Sequence, residues 1–243
     1  MPIRPLELHP DRLLPADPAT RKLARELYAE VADLPIVSPH GHTDPHWFAG
    51  NETFGNATDL LLVPDHYVFR MLYSQGIAME DLGVRNREAD PRAAWRLFAE
   101  NYFLFRGTPS RMWLDWVFAE AFGISVQLGA ETSDLYFDTI TDKLATDDFR
   151  PRALFDRYGI EAIATTESPL DTLEYHAAIR AENAHPGGWQ GKVITAYRPD
   201  PVVDPEFEGF RDNLAKFSEI TGEDCLTWDG YLAAHRQRRR FFA

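Results

Sequence analysis

Residues 46–158 contain no strand pattern and lie between one short buried strand and two later ones. These residues instead repeat aromatic and aliphatic side chains at helical spacing. Three runs of apolar and β-branched residues predict strands at Ile36–Val37, Ile160–Thr166 and Val193–Tyr197. The chain is therefore predicted to have three parts: an N-terminal helix and first strand in 1–45, an inserted helical subdomain in 46–158, and strand–helix units in 159–243.

The alternation of strand, loop and helix after Gly159 predicts an α/β fold with a parallel sheet. A complete (β/α)8 barrel needs about 250 residues without insertions, and this chain has 243. Because the helical block occupies nearly half of them, eight strands cannot be present. Either the chain forms a small open sheet, or it is the N-terminal part of a barrel whose remaining strands lie beyond Ala243.

Several helix boundaries are marked by residues that cap helices. Asp65 follows a proline and Asp90 precedes one, so helices are expected to begin at both positions. Thr20 is expected to cap the first helix, and Ser168 is expected to open a helix after the second strand. The basic cluster Arg236–Arg240 is predicted to be a solvated helix end that the helix dipole favours.

The composition restricts the partners. The chain carries 38 acidic and 25 basic side chains, a formal charge of -13, and this field repels nucleic acid and anionic lipid. No run approaches the roughly 18 apolar residues that a membrane span needs, and no signal-peptide segment is visible at the N-terminus. Cys225 is the only cysteine, which excludes an intrachain disulfide and a cysteine-rich zinc module. We therefore expect a cytoplasmic protein with neither nucleic acid nor membrane as a partner.

His40 and His42 follow the first predicted strand and are separated by Gly41. In an extended backbone, residues i and i+2 point to the same side, so the two rings are expected to meet. Active sites of parallel barrels lie at the ends of the strands, and imidazole is a common ligand of divalent metal ions. The spacing therefore predicts a metal site, and the alternative is a turn with two solvated histidines.

Four motifs in order resemble the uronate isomerases, also called glucuronate isomerases, of the amidohydrolase superfamily. The motifs are His40-Gly-His42, Pro64-Asp-His-Tyr67, Thr165-Thr-Glu167 with Ser168-Pro-Leu-Asp171, and Tyr197-Arg-Pro-Asp200. The resemblance covers nearly the whole chain but only the N-terminal half of such an enzyme. It implies a distorted (β/α)8 barrel of the metal-dependent-hydrolase type with an inserted helical subdomain, and it leaves a homo-oligomer open.

The resemblance also implies an activity and a site. Uronate isomerases interconvert D-glucuronate with D-fructuronate and D-galacturonate with D-tagaturonate. By resemblance, His40 and His42 are ligands of one divalent metal ion, zinc in particular, with no organic cofactor. Tyr67 and Arg198 match catalytic and substrate-binding positions of the family. An aspartate after the last barrel strand, which the superfamily also uses, has no counterpart in these residues.

The residue types suit this chemistry. Aldose–ketose exchange moves a proton between adjacent carbons through an enediol, so the site needs an acid, a base and a means of holding negative charge. Arg198 is able to bind the substrate carboxylate with two parallel hydrogen bonds, although an ion pair with Asp200 is its alternative. Tyr67 is suited to donate a hydrogen bond to the sugar. His66 beside it either supports Tyr67 or is simply a histidine at a helix start.

Two other functions remain open at this stage. A metal-dependent hydrolase of the same superfamily would use a metal-bound water to attack an amide or ester. A non-enzymatic α/β scaffold would carry the two histidines incidentally. Arg198 favours an anionic sugar as the ligand, because a guanidinium is well matched to a carboxylate.

Overall fold

The computed structural model describes residues 3–86 and 88–243. In chain order these residues form α1 (Pro18–Val31), β1 (Ile36–Ser38), α2 (Pro45–Gly50), α3 (Ala57–Leu61), α4 (His66–Tyr73), α5 (Pro91–Glu100), α6 (Pro109–Trp116), α7 (Ser133–Leu144), α8 (Pro151–Arg157), β2 (Ile160–Glu167), α9 (Glu174–Asn183), β3 (Lys192–Tyr197), α10 (Asp200–Val203), α11 (Phe210–Thr221) and α12 (Trp228–Phe242). Within these ranges, every helix is too short or too polar to cross a membrane.

The chain divides into two compact units. The helical unit comprises the residues up to Asp33 together with Thr53–Arg150, and the sheet unit comprises Leu34–Glu52 together with Pro151–Ala243. The polypeptide thus leaves the sheet unit soon after β1 and returns to it just before α8. Each unit has its own apolar core, and each is described by itself.

The sheet unit is built on β1, β2 and β3, which pair in parallel in the order β1-β2-β3 within the described residues. The β2–β3 ladder is continuous from Ala162↔Lys192 to Glu167↔Tyr197. The centre of β2 is buried on both faces, as its run of small and β-branched residues predicts. The predicted α/β fold with a parallel sheet is therefore confirmed, together with the positions of the three strands.

Helices cover the sheet with an aromatic core. Phe48 of α2 and Phe155 of α8 pack with Ile163 of β2, and this cluster also contains Ile179 and Val193. Trp189 lies parallel to the Phe48 ring, with centroids 5.9 Å apart. Because Phe48 follows the two histidines by only a few residues, this packing fixes the segment that carries them.

The core of the helical unit consists of aromatic rings that meet edge to face. Phe98, Tyr102 and Phe118 are fully buried, as the helical spacing predicts. The Phe98 and Tyr102 centroids lie 5.3 Å apart with the rings at 75°, a favourable geometry for the ring quadrupoles. The same helical spacing predicts Trp113 and Trp116 in the core, and this prediction is wrong because both side chains are more than a third exposed.

Helix starts were predicted correctly where an acidic residue caps the first turn. Asp65 accepts hydrogen bonds from the backbone of α4, and Asp90 does the same for α5. The expected cap at Thr20 is wrong, since Asp17 caps α1 three residues earlier. The helix expected at Ser168 is also wrong, because α9 begins only at Glu174. Ser168 instead starts a turn that its hydroxyl and Asp171 stabilise.

Arg238 corrects the interpretation of the C-terminal basic cluster. The residue is only 7 % exposed. Its Nε donates to the Pro169 carbonyl oxygen at 2.8 Å and its Nη2 to the Asp171 carbonyl oxygen at 2.5 Å. The guanidinium also lies over the Phe241 ring, 4.1 Å from the centroid. Arg238 therefore anchors the loop after β2 to α12, and only its neighbours Arg236, Arg239 and Arg240 are solvated.

Replacing Arg238 with methionine is expected to lower the free energy of unfolding of the sheet unit by about 2 kcal/mol, since two carbonyl groups lose charged hydrogen-bond donors. Arg239→Met is the matched control, because Arg239 is exposed and its loss should change the free energy by less than about 0.5 kcal/mol. Urea unfolding curves of the two variants measure the difference, and coincident midpoints would contradict the anchoring role of Arg238.

Candidate active site

The rings of His40 and His42 meet just beyond β1. The strand ends at Ser38, and the two Nε2 atoms lie 3.0 Å apart. The ring planes are inclined by 71° with centroids 5.0 Å apart. The rings thus converge as the i, i+2 spacing predicts, and their role as metal ligands stays a prediction.

Gly41 allows this loop to approach the neighbouring strand. A Cβ atom at Gly41 would lie 3.3 Å from the Ala164 carbonyl oxygen of β2, which is tighter than ordinary van der Waals contact. The Thr166 hydroxyl donates to the Gly41 carbonyl oxygen at 3.5 Å. The loop between the two histidines is therefore held directly against the end of β2.

The geometry of the histidine pair fits a single metal ion. Zinc–imidazole bonds are about 2.0–2.1 Å long, so two nitrogens 3.0 Å apart are able to reach the same ion. In the described ranges 3–86 and 88–243, no group of three or more His, Cys, Asp or Glu side chains converges as a complete metal site. The two imidazoles therefore form part of a coordination sphere at most.

Arg198 follows the last residue of β3. Its backbone N–H donates to the Glu167 carbonyl oxygen at 2.9 Å, which extends the β2–β3 ladder by one bond. Its Nε donates to Asp200 Oδ2 at 2.7 Å, and both side chains are more than half exposed. The ion pair that the sequence left as an alternative is thus formed, but exposed pairs contribute at most about 1 kcal/mol. The guanidinium is therefore accessible to a second carboxylate.

The histidine loop and the Arg198 segment meet the same strand end. Gly41 contacts Thr166, and Arg198 contacts Glu167, so consecutive residues of β2 hold both. This arrangement follows from the parallel order of the sheet, because the carboxyl ends of its three strands lie along one edge. The sheet unit thus carries His40, His42 and Arg198, three of the four predicted site residues, on segments attached to the same strand end.

Tyr67 belongs to the helical unit. It is the second residue of α4, and its backbone N–H donates to the capping residue Asp65 at 2.8 Å. Its side chain is 69 % exposed, and its ring centroid lies 4.3 Å from that of His66. The phenol is thus accessible to a ligand, and its place beside the histidines and Arg198 stays a prediction.

Sequence comparison identifies the family. The family model of glucuronate isomerase matches residues 18–243. The chain belongs to the glucuronate isomerase family. This confirms the resemblance that the four motifs indicated.

Known members of the glucuronate isomerase family match the chain over almost its whole length. A uronate isomerase from Sphingopyxis alaskensis is 73 % identical over 240 residues, which is 99 % of this chain and 51 % of that protein. A uronate isomerase from Xanthomonas axonopodis is 65 % identical, over 98 % of this chain and 50 % of that protein. The chain therefore spans about half the length of these curated relatives.

Solved structures of the family show the same fold. The crystal structure of glucuronate isomerase from Caulobacter crescentus has a TM-score of 0.92 and 57 % identity, and the match covers 98 % of this chain and 50 % of that chain. The crystal structure of uronate isomerase from Thermotoga maritima has a TM-score of 0.84 and 27 % identity, and the match covers 97 % of this chain and 49 % of that chain. The fold is thus retained at much lower identity, and the hydrolase alternative gains no support.

A buried polar cluster beside this site was not found from the sequence. Glu167 and His176 are 7 % and 3 % exposed, and His176 Nε2 lies 2.9 Å from the Thr165 hydroxyl. Burial lowers the pKa of His176, although the Glu167 carboxylate opposes this. The imidazole is therefore neutral near pH 7. The signal in the sequence was Glu167 at the end of a strand whose centre, Ala162–Ala164, is apolar.

Tyr197 lies immediately before Arg198 and fixes the end of β3 to α12. Its hydroxyl lies 2.7 Å from His235 Nδ1. Burial raises the pKa of Tyr197 to about 12 and lowers the pKa of His235. Both groups are thus neutral near pH 7, and Tyr197 is unsuited to act as a base. Its contribution to the site is to hold the strand from which Arg198 projects.

Proposed function

We propose that this chain supplies the N-terminal part of a hexuronate isomerase. The reaction is an aldose–ketose exchange, D-glucuronate to D-fructuronate or D-galacturonate to D-tagaturonate, by proton transfer through an enediol. The observation that carries the proposal is the end of β2, where Thr166 and Glu167 hold the histidine loop and the Arg198 segment. Family membership gives the substrate class, and this geometry supports it with a donor for the carboxylate.

Arg198 binds the carboxylate of the hexuronate in this proposal. The guanidinium is accessible and its present partner is the exposed Asp200. Two parallel hydrogen bonds to a carboxylate fix the substrate's orientation as well as its affinity. The local positive charge also offsets the net charge of -13, which would otherwise repel an anionic sugar.

One divalent ion, zinc in particular, is held by His40 and His42 together with groups from outside the described residues. Such an ion supplies electrostatic stabilisation of negative charge on a sugar oxygen. The two imidazoles must both be unprotonated on the nitrogen that faces it. Gly41 contributes by keeping the loop against β2, so that both rings approach from one side.

Tyr67 donates a hydrogen bond to a sugar hydroxyl or carbonyl in this proposal. A phenol O–H is a hydrogen-bond donor, so the residue is suited to this role. Its exposure and its fixed place in the first turn of α4 favour this role. His66, whose ring lies beside it, supports the orientation of the phenol.

The sheet is proposed to belong to a larger, distorted (β/α)8 barrel into which the helical residues are inserted. Ile36 and Val37 of the edge strand β1 are 48 % and 59 % exposed. Exposed apolar residues on an unpaired strand edge are unfavourable in an isolated sheet. Further strands beside β1 and β3 would cover them and complete the barrel interior.

The test compares residues 1–243 alone with the same residues fused at Ala243 to the matching remainder of the Sphingopyxis relative. We expect the fusion to convert glucuronate to its ketose and the chain alone to show no turnover above background, because an incomplete catalytic set loses most of its rate. A folded fusion without turnover would refute the proposed function. Comparable turnover by residues 1–243 alone would refute the division of the site between two halves.

A further inference from the structure

The carboxylate of Glu167 is buried at the strand end that carries the candidate site. The residue is 7 % exposed, and burying a carboxylate is unfavourable unless it has charged or hydrogen-bonding partners. His176 Nε2 lies 3.8 Å from Glu167 Oε2, which is beyond hydrogen-bond distance. The buried carboxyl group therefore depends on hydrogen bonds from other groups.

A threonine on the next strand provides such a hydrogen bond. The hydroxyl of Thr195 in β3 donates to Glu167 Oε2. Thr165 lies opposite Thr195 in the ladder, and its hydroxyl contacts His176 Nε2 at 2.9 Å and the Ile194 carbonyl oxygen at 3.2 Å. Two hydrogen-bonded pairs from β2, β3 and α9, Thr195–Glu167 and Thr165–His176, thus lie side by side at the carboxyl end of the sheet.

The same glutamate holds Arg198 through its main chain. The Glu167 carbonyl oxygen accepts the Arg198 N–H at 2.9 Å, just after the last β2–β3 residue pair, Glu167↔Tyr197. The Thr195 hydroxyl therefore fixes the residue whose carbonyl group fixes Arg198. Loss of the side-chain hydrogen bond would allow the ends of β2 and β3 to separate. The backbone of Arg198 would then no longer be held in place, and the position of its guanidinium would be less defined.

We infer that Glu167, held by Thr195, is a positioning residue for Arg198 and so contributes to recognition of the substrate carboxylate. This inference rests on the proposed function. It explains why an acidic side chain lies in a buried place that an apolar residue would fill at lower cost in solvation.

The first test needs no activity. Thr195→Val removes the hydroxyl at nearly constant volume, and Thr195→Ser keeps the hydroxyl as the matched control. In Thr195→Val, the Arg198 amide should exchange with solvent about tenfold faster, because the loss of one hydrogen bond makes local opening of the strand end easier. The Gly222 amide, bonded to the Ser218 carbonyl oxygen at the end of α11, should be unchanged, because it belongs to a different element from the strand ends. Equal exchange of Arg198 in Thr195→Val and the parent would overturn the inference.

The second test uses the fusion with the Sphingopyxis remainder. Thr195→Val should raise KM for glucuronate about fivefold and leave kcat within about twofold, since binding rather than chemistry is disturbed. In an Arg198→Met background the same substitution should no longer change KM, because coupled residues are not additive. Equal effects in both backgrounds would show that Thr195 acts independently of Arg198.

The two tests separate this inference from the proposed function. If the parent fusion does not convert uronates, the proposed function fails, and amide exchange still decides whether Glu167 and Thr195 position Arg198. If the fusion is active but Thr195→Ser is as impaired as Thr195→Val, the hydroxyl is not the cause and the inference fails alone.

Discussion

Arg198→Lys is expected to lower kcat/KM for glucuronate by about a hundredfold in the fusion of this chain with the Sphingopyxis remainder. A lysine keeps the positive charge but cannot form two parallel hydrogen bonds with a carboxylate. Loss of one charged hydrogen bond, together with a less defined orientation, accounts for an effect of this size. Initial rates over a range of glucuronate concentrations measure it.

Asp200→Asn is the informative control for Arg198. Asp200 accepts from Arg198 Nε at 2.7 Å, so its carboxylate competes with that of the substrate. Removing the negative charge should leave kcat unchanged and lower KM modestly, by about twofold, since the exposed pair is weak. An unchanged kcat/KM in Arg198→Lys would exclude the carboxylate-binding role, whatever the result for Asp200→Asn.

His42→Asn is expected to lower the affinity for zinc by at least a hundredfold, roughly the upper limit of what the loss of a supporting residue around a metal costs. The two Nε2 atoms lie 3.0 Å apart, so both are expected to bind the same ion. Replacing His42 would remove one of these two ligands. Titration of the metal-free fusion with zinc, followed by elemental analysis, gives affinity and stoichiometry without an activity assay.

His46→Asn is the matched control for the histidine pair. His46 lies four residues further along, in α2, and its ring packs against Tyr175 with centroids 5.2 Å apart. Its replacement should leave zinc affinity unchanged, since the residue contacts an aromatic ring rather than the other histidines. Equal zinc affinity in His42→Asn and His46→Asn would remove the basis for a metal site at the end of β1.

The sequence by itself determined several features whose signal is local, although the local capping signals at Thr20 and Ser168 gave wrong helix starts. The strands at Ile160 and Val193 follow from short apolar runs, and the capping aspartates Asp65 and Asp90 define the starts of their helices. The meeting of His40 and His42 is also local, since it requires only alternate residues in an extended segment. Hydrophobic periodicity and helix capping depend on residues that are neighbours along the chain, so both can be recognised without knowledge of the fold.

Only the tertiary structure decided which polar side chains are buried. The sequence alone predicts that Arg238 is solvated like its neighbours. Its hydrogen-bond partners are carbonyl groups that lie 67 and 69 positions earlier in the chain. The bond from Thr195 to Glu167 spans 28 positions, and nothing near either residue indicates it. The physical reason is that burial of a charge becomes tolerable only when distant groups supply hydrogen bonds, and the packing of strands and helices determines which groups are close.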